Sequence, residues 1–171
     1  MKRTRISLIA GCLAAIVIVA AIPAAFAARH AAQTSAANCE RGQLSVRSNG
    51  TNGAAGTIFG AWVFKNVSRT ACVLDGYPDV QLFGVTGRPF RTTVKRDLSP
   101  GPAHVTLTPG ASATFRTTFS DVASGPTPCP RSAVAQITAP NASASLYIPA
   151  QMQPCRGVVH VSAVFAGVHP A

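Results

Sequence analysis

Beyond Gln43 the apolar residues recur at every second position and almost nowhere at every third or fourth, a spacing that a pleated strand can bury along one face and a helix cannot. Residues 112 to 119 show it most cleanly: Ala113, Phe115, Thr117 and Phe119 point one way, and Ser112, Thr114, Arg116 and Thr118 the other. The same alternation marks Leu44 with Val46, Ala103 with Val105 and Leu107, Leu146 with Ile148, and Val159 with Val161, Ala163 and Phe165. Residues 58 to 64 are apolar on both faces and read as a central strand that holds Trp62 in the core. Further strands are expected at 80 to 85, 89 to 95 and 133 to 139, with turns at Asn66 to Thr70, Asp75 to Asp79, Val85 to Pro89 and Pro109-Gly110. No amphipathic helix competes for the core. The pattern predicts an all-β domain, an immunoglobulin-like antiparallel β-sandwich of eight or nine short strands, with a closed barrel as the lesser option.

The N-terminus places that domain outside the cytoplasm. Three basic residues, Lys2, Arg3 and Arg5, precede an uncharged stretch from Ile6 to Ile22. Pro23 follows, and Ala25-Phe26-Ala27 offers the small residues that a signal peptidase reads. The expected division is a signal peptide over 1–27, a flexible lead-in over 28–38 and a β-sandwich domain over 39–168. An uncleaved membrane anchor is the alternative, since the apolar stretch approaches the length of a span. Ile9-Ala10-Gly11-Cys12 also fits a lipoprotein box, but most of the apolar stretch follows Cys12, where it should precede.

With the leader removed, four cysteines remain: Cys39, Cys72, Cys129 and Cys155. An even number of thiols in an exported chain implies a disulfide framework, and their spacing holds no zinc motif. Three pairings are open. The preferred one joins Cys39 to Cys155 and Cys72 to Cys129, because Cys39 precedes the first strand and Cys155 the last, and in such sandwiches those strands often lie side by side.

The mature segment carries 12 basic and 5 acidic residues, a net charge of +7. Arginine outnumbers lysine by 10 to 2 and alanine is abundant, which reads as the codon bias of a GC-rich genome more than as a designed patch. The densest basic cluster is Arg88, Arg91, Lys95 and Arg96, with Arg91, Thr93 and Lys95 on one strand face. Such a face either keeps a strand edge from pairing or contacts acidic wall polymers or a protein partner. Tyr77, beside a turn and a proline, reads as an exposed aromatic that extends the same candidate surface. Nothing indicates a specific nucleic-acid partner, and a membrane contact is expected only if the leader is retained.

The segments Trp62-Val63-Phe64-Lys65-Asn66-Val67-Ser68, Ala71-Cys72-Val73-Leu74-Asp75-Gly76-Tyr77-Pro78 and Leu107-Thr108-Pro109-Gly110-Ala111-Ser112-Ala113 resemble the secreted actinobacterial family known as domain of unknown function 4232. In that family a strand ending in Asn is followed by Cys, a hydrophobic pair and Gly-Tyr-Pro, and later by a strand begun with Pro-Gly. The likeness runs from Cys39 to about Phe165 and includes Cys129 and Cys155 in order. Thr57-Ile58-Phe59-Gly60 departs from it where a more glycine-rich approach is expected. The resemblance implies a secreted or envelope-attached β-sandwich with no established activity.

Catalytic chemistry is sparse. The acids are Glu40, Asp75, Asp79, Asp97 and Asp121, and the histidines His30, His104, His160 and His169 are spread along the chain. Asp75 and Asp79 flank a turn, where Asp bonds nearby amides, while His104 and His160 fall on polar strand faces. No nucleophile elbow, zinc-protease motif or phosphate loop is present. The chain is therefore read as a non-catalytic binding module with no cofactor, no metal and no catalytic residue. Two alternatives stand: copper carriage by His160, Met152 and His104, and a hydrolase in which Asp121 or Asp97 meets a histidine in a cleft.

Overall fold

The computed structural model describes residues 36–99 and 101–171. The leader (1–27) and the lead-in as far as residue 35 lie outside the described residues. The domain is all-β: β1 (Leu44–Ala54), β2 (Thr57–Asn66), β3 (Cys72–Asp75), β4 (Asp79–Phe83), β5 (Thr93–Arg96), β6 (His104–Leu107), β7 (Ser112–Ser120), β8 (Val134–Thr138), β9 (Ser145–Pro149), β10 (Val158–Val161) and β11 (Phe165–Ala166). Among the described residues no helix is long and apolar enough to cross a membrane. The eleven strands exceed the eight or nine expected because Cys72–Asp75 forms β3 and the stretch from Val159 to Phe165 divides into β10 and β11.

Six strands make one sheet in the order β1-β2-β7-β10-β5, with β11 also on β7. The pairs β3-β6 and β4-β8-β9 form two smaller sheets. One buried cluster joins all three, with Trp62, Phe64, Phe115 and Val161 from the large sheet meeting Leu74, Leu107, Leu82 and Ile137 from the small ones. Pairing is antiparallel except between β10 and β5, which run parallel. Register fixes the faces. Trp62 opposes Phe115 and Gly60 opposes Thr117, so these residues share the inner face, while Phe59 and Thr118 share the outer one.

β2 is buried on both faces from Gly60 to Phe64, whereas Phe59, expected to be packed, is exposed on the outer face; over the buried part the C-terminal tail supplies the outer cover. Thr114 Oγ1 donates to Gly167 O (2.8 Å) and accepts from His169 N (3.1 Å), and Asn49 and Asn52 donate to the carbonyls of His169 and Ala171. The tail thus crosses the outer face above Ala61 and Val63, both buried. Phe165 departs from its expected company. Between Val161, opposite Thr117, and Phe165, opposite Thr114, β7 has two residues and its partner three, so an extra residue bulges out. Phe165 is turned to the outer face, under the Arg116 guanidinium at 5.3 Å from its ring.

The disulfides are Cys39–Cys72 and Cys129–Cys155, which corrects the expected pairing of Cys39 with Cys155 and Cys72 with Cys129. The first and last strands are not neighbours: β1 pairs with β2, and β10 lies between β7 and β5. The chain before β1 runs parallel to β3 instead. Asn38 bridges Val73, Cys39 N donates to Val73 O and Val73 N donates to Ala37 O, both at 2.9 Å. That bridge sets the Cα atoms of Cys39 and Cys72 4.8 Å apart inside the core.

Candidate functional site

The outer face of the large sheet is covered by the tail over one half only. The other half opens into a cleft of about 480 Å³ between the end of β7, the β10-β5 pair and the loop after β7. The parallel register places His160 beside Lys95, and both line the cleft with Ser120, Ser124 and Arg156 around an apolar wall of Phe119, Val122 and Val158.

Arg156 reaches the cleft through an unusual backbone. It sits at φ 61°, ψ 7° within the short turn Cys155–Gly157, a left-handed conformation that costs a non-glycine residue about 1 to 2 kcal/mol. Gly157 follows at φ +68°, where any Cβ would strike the Arg91 carbonyl, so the turn requires glycine there. The conformation aims the Arg156 guanidinium at Ser124 Oγ, to which Nη2 donates at 2.8 Å and Nε at 3.3 Å. His160 Nδ1 donates to Asp97 Oδ1 at 3.2 Å, with both side chains less than half exposed. Lys95 and Arg156 make no ion pair with an acid among the described residues. Three basic groups therefore face one concavity with a single carboxylate beside them, which favours an anionic guest.

The residues expected to form a basic surface are divided. Lys95 lines the cleft, whereas Arg96, one position on, turns to the inner side and lies 5.3 Å from the ring centre of Tyr77. Arg88 closes the turn after β4 through its carbonyl, which accepts from Gly84 N, and its side chain is exposed outside the cleft. Arg91 is likewise exposed, with its carbonyl packed on Gly157. Tyr77, expected to be exposed, is half-buried, and its hydroxyl is shut from solvent with no hydrogen-bond partner. The Arg96 guanidinium covers its ring. Arg156 and Ser124 carried no motif in the sequence, since a left-handed arginine after a cysteine has no compositional mark.

The other candidates lie apart. His104 donates to Asp75 at 3.3 Å at the β3-β6 edge, and Met152 is buried on the inner side, so the structure does not bring His160, Met152 and His104 together. No group of three or more His, Cys, Asp or Glu close enough to hold a metal occurs among the described residues.

An all-β domain with two internal disulfides and a basic cleft, carrying the Asn66, Cys72 and Gly76-Tyr77-Pro78 positions at the β2-β3 corner, defines the class. The chain belongs to the family described as domain of unknown function (DUF4232), whose model matches residues 39–165. Comparison with curated proteins and with solved structures finds no match. The two disulfides are consistent with an extracytoplasmic domain.

Proposed function

We propose that this chain is exported, as the basic residues and apolar stretch of its leader suggest, and acts as a non-catalytic binding module of the cell envelope. In this reading the domain is an immunoglobulin-like sandwich, with the large sheet as one layer and the two small sheets as the other. Its ligand is an acidic envelope polymer whose carboxylate or phosphate groups enter the outer cleft. The observation that carries the reading is Arg156, held in a costly backbone conformation and lining one cleft with Lys95 and His160. A planar guanidinium with free donors suits either oxyanion, and Lys95 adds a second charge.

The test is retention of the oxidised domain on isolated cell wall. Retention should fall steeply as salt screens the cleft, and the double variant K95A/R156A should bind about tenfold more weakly, while R88A, outside the cleft, binds as the native chain does. Retention unaffected by salt and by the double variant would discard the reading.

The hydrolase alternative rests on one specific observation, the His160–Asp97 pair in a cleft that also holds two serines. Its Asp-to-Nδ1 contact has the sense of a catalytic triad, but a triad also needs a hydroxyl on the other ring nitrogen. Ser124 Oγ is engaged by Arg156, and Ser120 Oγ accepts from Val122 N. Turnover of an activated ester that is lost in H160A and kept in K95A would favour this alternative over the binding module.

A further inference from the structure

We propose a second binding site, on the inner face of the large sheet, that takes a small zwitterion with a branched apolar body, such as a free aliphatic amino acid. The site is the open end of the layered core, a cleft of about 240 Å³. Its floor is built from β2 and β7, where Ile58, Trp62 and Phe119 present apolar surface. Gly60 keeps that floor open. A Cβ there would stand 2.8 Å from Thr117 Oγ1, the atom that accepts the Trp62 indole N–H at 2.9 Å.

The roof is held rigidly. Cys129–Cys155 closes the segment that carries it, Gln153 Nε2 donates to Cys129 O (2.9 Å), and Arg131 Nη2 donates to Gln153 Oε1 (3.2 Å). Ser132 N donates to Met152 O and Met152 N returns to Ser132 Oγ, each at 2.8 Å. Two opposite charges flank the mouth: Asp121 at the end of β7 and Arg131 on the roof. Neither forms an ion pair among the described residues, so the Asp121 carboxylate and the Arg131 donors not used by Gln153 are available to a guest. An acid and a base on opposite walls of an apolar slot complement a molecule that carries both an ammonium and a carboxylate. At about 240 Å³ the cleft falls below the roughly 300 to 1,000 Å³ of pockets for drug-sized ligands, which suits a guest as small as valine or leucine.

Trp62 is the single tryptophan of the chain, so its emission reports this cleft and no other site. The oxidised protein is titrated with L-leucine and L-valine by calorimetry, with Trp62 emission followed in parallel. The expected result is saturable one-to-one binding with a change in emission. D121N and R131Q, both exposed positions, should each raise the dissociation constant about tenfold or more, and isoamylamine and isocaproate, each lacking one charge, should bind at least about tenfold more weakly than leucine. K95A/R156A should bind leucine as the native protein does, which separates this site from the outer cleft. Absence of saturable heat with both amino acids, or a D121N/R131Q double variant that binds within about twofold of native, would overturn the proposal, as would monofunctional analogues that bind as tightly as leucine.

Discussion

Asn66 is wholly buried and leaves no arm of its amide idle. Its Nδ2 donates to the carbonyls of Thr70 (2.8 Å) and Leu107 (2.9 Å), and its Oδ1 accepts from Ser68 N (2.9 Å) and Ser68 Oγ (2.7 Å). One side chain thereby fastens the end of β2 to its turn and to β6. Asn66→Ala removes the side-chain donor to the buried Leu107 carbonyl and leaves the Thr70 carbonyl with Ser68 Oγ alone (3.0 Å), and should lower stability by about 1 to 3 kcal/mol. Asn66→Asp should cost more, because an oxygen then faces those carbonyls and a charge is buried without a partner. Urea denaturation measures both, and an Asn66→Ala loss under about 0.5 kcal/mol would refute the role. The sequence shows Asn66 as a turn residue after a strand, since Asn and Ser favour turns. It does not show the amide facing inward, because that depends on Leu107, 41 positions away. Tyr77 was misjudged as exposed for the same reason: Arg96, which covers it, arrives from a strand with no local link to it.

At the level of elements, periodicity of two marks the half-buried strands such as β7, because burial on one face imposes it directly, and a run apolar on both faces marks β2. What it could not show were interruptions. The hairpin between β1 and β2 turns on Ala55 and Gly56 at φ 50° and 77°, the sense of a type I′ turn. Alanine at the first of these positions hides the turn, since Asn-Gly or Asp-Gly is the usual signal. Ala55→Asn should therefore stabilise the domain by about 0.5 to 1 kcal/mol, read as a higher midpoint in urea at unchanged slope. A lower midpoint would mean that neighbouring contacts, and not the turn, set the preference for alanine. The bulge after Val161 was hidden likewise, for one inserted residue sends Phe165 to the opposite face without any change in composition. The outer cleft was half legible. Lys95 was singled out by its strand face, but its neighbours His160 and Arg156 come from the parallel register of β10 on β5 and from a left-handed turn, both tertiary facts.

For the whole molecule, the disulfides divide the work between core and rim. Cys39–Cys72 closes 33 residues and Cys129–Cys155 closes 26, so the chain-entropy model assigns each about 3.5 kcal/mol, nearly equal and each large beside a domain stability of roughly 5 to 15 kcal/mol. The two differ in surroundings. Both Cys39 and Cys72 are fully buried in the shared core, whereas Cys129 is partly exposed at the rim where it restrains the roof of the inner cleft. Serine in place of the first pair adds two buried hydroxyls to the lost cross-link, and serine in place of the second adds little beyond the entropy term. C39S/C72S should thus destabilise the domain by clearly more than about 3.5 kcal/mol and leave little folded protein. C129S/C155S should keep the β-rich circular dichroism, lose about 3 kcal/mol in urea, and become sensitive to proteases between Val122 and Arg131. Equal losses in the two variants would show that the cross-links act through the unfolded chain alone, and that burial of the first pair in the core contributes nothing of its own.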